Sequence, residues 1–184
     1  MAATPGDILQ FWYGDPPFER REEWFHGGPA FDDECRRFQP DWEIAHAGGL
    51  EDWLDERKSL LAYVILTDQI PRNIFRDDAR THATDAKALN ASKKAVALGW
   101  NTEMEAVERQ FLYLPYEHSE DLAAQRICLQ LMAEPGLEHI LAYAQAHYDI
   151  VKRFGRFPHR NLSLGRTSTE AELSYLTDAN SFGQ

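Results

Sequence analysis

Residues 60–66 read Leu-Leu-Ala-Tyr-Val-Ile-Leu. Seven apolar residues in succession leave a helix without a polar face, and such a helix has to be covered on several sides. The segment from about Glu56 to Ile70 is therefore expected as the central helix of the fold. The remaining chain has to supply the helices that cover it.

It does so with helical patterning almost throughout. Thr4-Pro5-Gly6-Asp7 offers an N-cap, a proline at the first helical position and an acid two residues later, and Gly14 stops that helix. Residues Pro16 to Pro29 read as loop. A helix from Phe31 to about Ala47 ends at Gly48-Gly49, and Pro40 is expected to kink or divide it. Asp78 or Thr81 opens a helix that runs to Leu98, with Gly99 as its stop. Glu103 to Phe111 forms a shorter helix. Ser119-Glu120-Asp121 starts another, with Ala124, Ile127, Cys128 and Leu131 on one face. Pro135-Gly136 ends it. From Leu137 to Phe154 the apolar residues again keep helical spacing. Thr169 and Glu172 make a last capping box. The tail after Asp178 is expected to fray. No run alternates at period two for long enough to be a strand. The expectation is one all-α domain of about seven to nine helices with short connections.

Composition narrows the function classes. A chain of 184 residues buries roughly 70% of its unfolded surface and needs no disulfide or metal to hold a core. Its formal net charge of -11 and pI near 5.0 argue against tracking nucleic-acid phosphates or anionic membranes. No apolar run reaches the roughly 18 to 20 residues of a membrane span, and no secretory signal opens the chain. Cys35 and Cys128 match no metal spacing and read as reduced thiols, which makes the cytoplasm the expected compartment. No cofactor fingerprint is present.

Three stretches carry polar residues where dense apolar runs end. The first is Leu66-Thr-Asp-Gln-Ile-Pro-Arg-Asn-Ile-Phe-Arg76. Asp68 shares the buried stripe of Leu61, Val64 and Ile65, near a helix C-terminus that disfavours negative charge. A carboxylate placed there needs a cation or several donors. Arg72 at i+4 is a candidate, with Pro71 breaking the helix between them, and a more distant arginine is an equal one. The second stretch, Phe111 to Asp121, leads into Glu117 and His118 at a loop-to-helix junction, where helix N-terminal amides attract an anion. His118 titrates near neutrality and can move a proton, while Glu117 and Asp121 can act as base or orienting group. The same Ser119-Glu120-Asp121 residues also read as plain capping. A metal site is not expected, because no H-E-x-x-H helix or Cys/His array accompanies the pair.

The third stretch is Arg153-Phe-Gly-Arg-Phe-Pro-His-Arg-Asn-Leu-Ser-Leu-Gly-Arg166. It holds four arginines and no acid within a strongly acidic chain. Phe154, Phe157, Leu162 and Leu164 mark it as packed rather than as a solvated basic tail. Guanidinium groups suit two-pronged recognition of carboxylate or phosphate. Two readings compete. The arginines neutralise internal acids such as Asp68, Glu117 or Asp121, or they hold an anionic ligand. His147 reads as a core histidine, and His26, His46, His82 and His139 have no motif around them. The five tryptophans read as core.

Taken in order, DQIPRNIFR, THATDAKAL, FLYLPYEHSEDL and RFGRFPHRN followed by LGR resemble the bacterial family called domain of unknown function 924, and ILQFWYG resembles its opening motif. The resemblance covers about Asp7 to Leu176. It implies an all-helical, tetratricopeptide-like fold and brings no established activity. Its motif positions fall here on Asp68, Gln69, Arg72, Asn73, Asp85, Glu117, His118, Asp121, Arg156, His159, Arg160, Asn161 and Arg166.

The leading expectation is a polar pocket for a small anionic ligand with hydrolase-like acid/base chemistry. Arg72, Asn73, Arg156, Arg160, Asn161, Arg166 and Asp121 would bind. His118 or His159 would move protons, with Asp68 and Glu117 orienting them. The alternatives are a non-catalytic tetratricopeptide-like module that grips an acidic peptide through an arginine carboxylate clamp, and a purely structural salt-bridge network.

Overall fold

The computed structural model describes residues 2–178 and is helical, with no strand among the described residues. The tail after Asp178, expected to fray, lies outside them. The apolar run opens as helix α5 (Arg57–Val64), and none of Leu60 to Leu66 is more than 3% exposed. Each buried Leu, Ile or Val contributes roughly 1.5–3 kcal/mol to folding. The covering helices are α1 (Pro5–Tyr13), α7 (Asp85–Ala97) and α8 (Ala106–Glu117), all in contact with α5.

The N-terminal half follows its local signals. Thr4 and Asp7 close a full capping box on α1. The stretch read as loop contains one helical turn, α2 (Glu23–His26). Pro40 divides the next helix as expected, into α3 (Pro29–Cys35) and α4 (Gln39–His46), with a 3-10 turn between them. Four of the five tryptophans are buried and Trp100 is half-buried. The Phe111 ring meets Trp12 edge-on at 5.3 Å and Trp24 at 4.9 Å.

Two helices run further than the sequence suggested. Beyond α5 the chain does not break at Pro71. It passes through a π turn (Ile65–Gln69) and continues as α6 (Ile70–Ile74). In a regular helix the Thr67 carbonyl would face the amide of residue 71, which proline lacks, and the proline ring would clash with it. Here the Ile70 amide bonds back to the Ile65 carbonyl, widening the turn. The Thr84 hydroxyl donates to the Thr67 carbonyl. Arg72 and Asn73 side chains donate to the Asp68 and Gln69 carbonyls. Three carbonyls of the turn thus accept from side chains. Likewise α8 does not stop at Phe111 but carries Pro115 inside it and ends at Glu117. An interior proline costs about 3 kcal/mol, and burial of Phe111, Leu112, Tyr113 and Tyr116 outweighs that several times.

The helices α8, α9 (Leu122–Met132) and α10 (Glu138–Phe154) pack in succession through short turns. Gly155, with φ 72°, ends α10 in the left-handed region. A 3-10 turn (Pro158–Arg160) and α11 (Glu170–Asp178) follow. Ile150, Val151 and Phe157 form a small apolar cluster of their own, separate from the main core. None of the described helices is long and apolar enough to cross a membrane.

Candidate functional site

Four segments distant in sequence meet at a cavity of about 840 Å³. The π turn and α6 bring Gln69, Arg72 and Asn73. The C-terminal end of α8 brings Glu117 and His118. The 3-10 turn after α10 brings His159 and Arg160, and a 3-10 turn before α7 (Ala79–His82) brings His82. Glu117 is the last residue of α8 and His118 its C-cap. The pair therefore sits at a helix C-terminus, not at the loop-to-helix junction expected from the sequence.

Asp68 is fully buried behind His118. His118 Nδ1 lies 2.9 and 3.0 Å from its two carboxylate oxygens. Gln69 Nε2 donates to Oδ2 at 2.6 Å, and Arg72 Nη1 is 3.5 Å from Oδ1. Burial by itself pushes the Asp68 carboxyl up, but Arg72 and His118 outweigh it and hold it below the usual carboxylate range. Burial, reinforced by the Arg72 charge, holds His118 below the ordinary histidine value despite Asp68. The pair is a carboxylate accepting from Nδ1–H of a neutral imidazole, a tautomer set by this hydrogen bond. Nε2 is the ring nitrogen left to the cavity.

Among the described residues no cation stabilises the ionised form of Glu117. Burial, and then the neighbouring Asp68 charge, push its carboxyl up to about 8. The carbonyl end of α8 acts in the same direction. Its Oε1 lies 3.4 Å from His147 Nδ1. That ring is itself held near 3, first by burial, and donates from Nδ1 to the Tyr143 carbonyl at 2.9 Å. At neutral pH Glu117 is a protonated acid beside a neutral His118, an arrangement suited to proton transfer in both directions.

Asp85, in the first turn of α7, joins the two arginines. Its Oδ1 accepts from Arg72 at 2.9 Å and its Oδ2 from Arg160 at 3.3 Å. Burial opposes its ionisation, yet Arg72, His82 and Arg160 hold it far below the carboxylate range. Arg160 also donates to the His118 carbonyl at 3.0 Å and lies over the Phe157 ring. Burial pulls it down to about 10, still cationic at neutral pH. Two guanidinium groups, Arg72 and Arg160, thus balance two carboxylates, Asp68 and Asp85. Several buried donors have no hydrogen-bond partner among the described residues: Arg72 Nε and Nη2, Arg160 Nε and Gln110 Nε2.

Other candidate residues lie outside the cavity lining. Arg156 is held by Glu172 through two contacts of 2.6 and 2.8 Å, and donates to the Thr167 carbonyl. Arg166 forms the same kind of fork with Glu120 at 2.7 and 3.0 Å. Asn161 donates to Ser168. Asp121 is exposed and caps α9 through the Ala123 amide. The basic stretch therefore does answer internal acids, but they are Glu172, Glu120 and Asp85 rather than Asp68, Glu117 and Asp121. Asn73 and His159 do line the cavity.

Sequence reasoning passed over His147, His82 and Gln110, which also line it. His147 is buried on the apolar stripe of α10 as expected. Its second role depends on Glu117 arriving from another helix, which no local pattern announces. Asp85 did carry a signal, an acid at a helix start in THATDAKAL.

A solved structure of a protein of unknown function from Agrobacterium tumefaciens is similar to this chain, with a TM-score of 0.86 and 39% identity. The match covers 95% of this chain and 97% of that one. No curated protein matches. A family model described as a bacterial protein of unknown function (DUF924) matches residues 8–180, and the chain belongs to that family.

Proposed function

We propose that the cavity binds a small ligand through an oxygen-bearing, anionic head and moves a proton at it. The observation that carries this is the buried Asp68–His118 contact at 2.9 Å, set beside arginine donors that no acceptor among the described residues satisfies. A buried donor without a partner costs about 1–3 kcal/mol, and a ligand oxygen is the group that removes that cost. His118 acts as the base through Nε2, with Asp68 fixing its tautomer. Glu117 acts as the acid. Gln69 orients Asp68.

The test is a turnover screen of carboxylate and phosphate esters and amides with the wild type, His118→Gln, Asp68→Asn and Arg156→Ala. Turnover should vanish in the first two variants and persist in the third. The base works when His118 is neutral, above its lowered pKa. The acid works below about 8. Activity should therefore fall on the alkaline side near pH 8, with the acid limb below the ordinary histidine range. Turnover that survives in both His118→Gln and Asp68→Asn would sink the proposal.

A further inference from the structure

The cavity's outer wall differs in character from its floor. Phe25, Tyr143 and Leu162 line it and are 37%, 59% and 93% exposed. Trp24, Leu114 and Ile140 line it below them. Large apolar side chains left in water around one concavity mark a binding surface rather than chance exposure. The volume of about 840 Å³ is far beyond what one inorganic anion fills. It falls within the roughly 300–1,000 Å³ of sites that take organic ligands of substantial size.

The floor sets the charge of the head. Arg72 and Arg160 are matched by Asp68 and Asp85, and Glu117 is protonated. On that floor a doubly charged phosphate would meet no surplus of positive charge, since Arg20 and Arg76 line other parts of the cavity. Buried N–H donors on Arg72, Arg160 and Gln110 that lack a partner among the described residues still favour a group with two acceptor oxygens.

Building on the function proposed above, we infer that the ligand is amphiphilic: a singly charged carboxylate head on the floor and an apolar body against Phe25, Tyr143 and Leu162. The donors hold the head beside His118, and the rim removes the body from water.

Isothermal titration with acetate, butanoate, hexanoate and octanoate, below micelle-forming concentrations, tests this. Affinity should rise about fourfold per methylene. Octanol and octyl phosphate should bind more weakly than octanoate, and hexanoate should displace octanoate. Leu162→Ser combined with Tyr143→Ser, both at exposed positions, should flatten the chain-length dependence. Gln110→Leu, which removes a donor that has no partner among the described residues, should weaken every carboxylate by a similar factor. Affinity independent of chain length, or octanol binding as well as octanoate, overturns the amphiphile. So does inorganic phosphate or octyl phosphate binding as tightly as octanoate. If Gln110→Leu still weakens the anions in such a case, the anion site stands without the amphiphile. If none of the probes binds, the proposed function falls as well.

Discussion

Replacing Glu117 with glutamine should make the protein more stable at neutral pH, although the residue is buried and lies in the site. The unfolded glutamate ionises at about 4.5, while the folded one keeps its proton up to about 8. Below 4.5 both states hold the proton and pH has no effect through this group. Between the two values the folded state binds a proton that the unfolded state has released, so stability falls as pH rises. The loss is roughly 1.4 kcal/mol per pH unit. At pH 7, some 2.5 units above the lower value, it reaches about 3 kcal/mol. Glutamine has a similar shape and no proton to lose. Urea unfolding of both proteins at pH 4.5, 5.5, 7 and 8, followed by far-UV circular dichroism, reads the difference directly. The gap should be small at pH 4.5 and widen to about 3 kcal/mol at pH 7, where it corresponds to roughly 6–12 °C in Tm for a chain of this length. A variant that is less stable than the wild type at pH 7, with the gap closing toward low pH, would refute the reasoning. That result would mean Glu117 is ionised and paired with His147, and the acid half of the site would go with it.

Two further substitutions probe the scaffold. Asp68→Ala strips the central carboxylate from Arg72 and His118 and should lower stability by about 3–5 kcal/mol, measured by the same unfolding assay. Thr84→Val removes the hydroxyl that replaces the missing Pro71 donor and that also accepts from Trp42 Nε1 at 3.0 Å. It should cost about 1–3 kcal/mol, and an unchanged midpoint would mean the π turn does not depend on it.

The sequence was most legible where the determinant was local. The apolar run predicted a central helix, the Thr4–Asp7 and Thr169–Glu172 boxes marked helix starts, and Pro40 divided a helix. It was least legible where distant residues decided the outcome. Pro71 read as a break, and the helix before Pro115 was expected to end at Phe111, because the residues that accommodate the two prolines cannot be seen from their own neighbourhoods. Thr84 is 13 residues beyond Pro71, and α8 is held together by burial against other helices. The same limit applied to the site. Asp68, Glu117, His118, Arg72 and Arg160 were identifiable as polar residues out of place in apolar runs. The pairing of arginines with Asp85, Glu120 and Glu172 was not, because pairing depends on the tertiary fold. Arg156 and Arg166 resemble Arg160 in sequence, and only their partners separate them.

The small apolar cluster of Ile150, Val151 and Phe157 has a consequence for when the site comes into being. Arg160 belongs to that cluster's segment, while Asp85, Arg72 and His118 rest on the main core. The segment after α10 reaches the cavity through the bonds of Arg160 to Asp85 and to the His118 carbonyl. An opening that lifts the C-terminal segment would take Arg160 away and leave Asp85 and the His118 carbonyl without one donor each, while α5 and its covering helices stayed folded. Amide exchange in α11 and the end of α10 should then run ahead of global unfolding. A ligand that engages Arg72 and Arg160 together would slow it, so occupancy of the cavity could be read from amides that never touch the ligand.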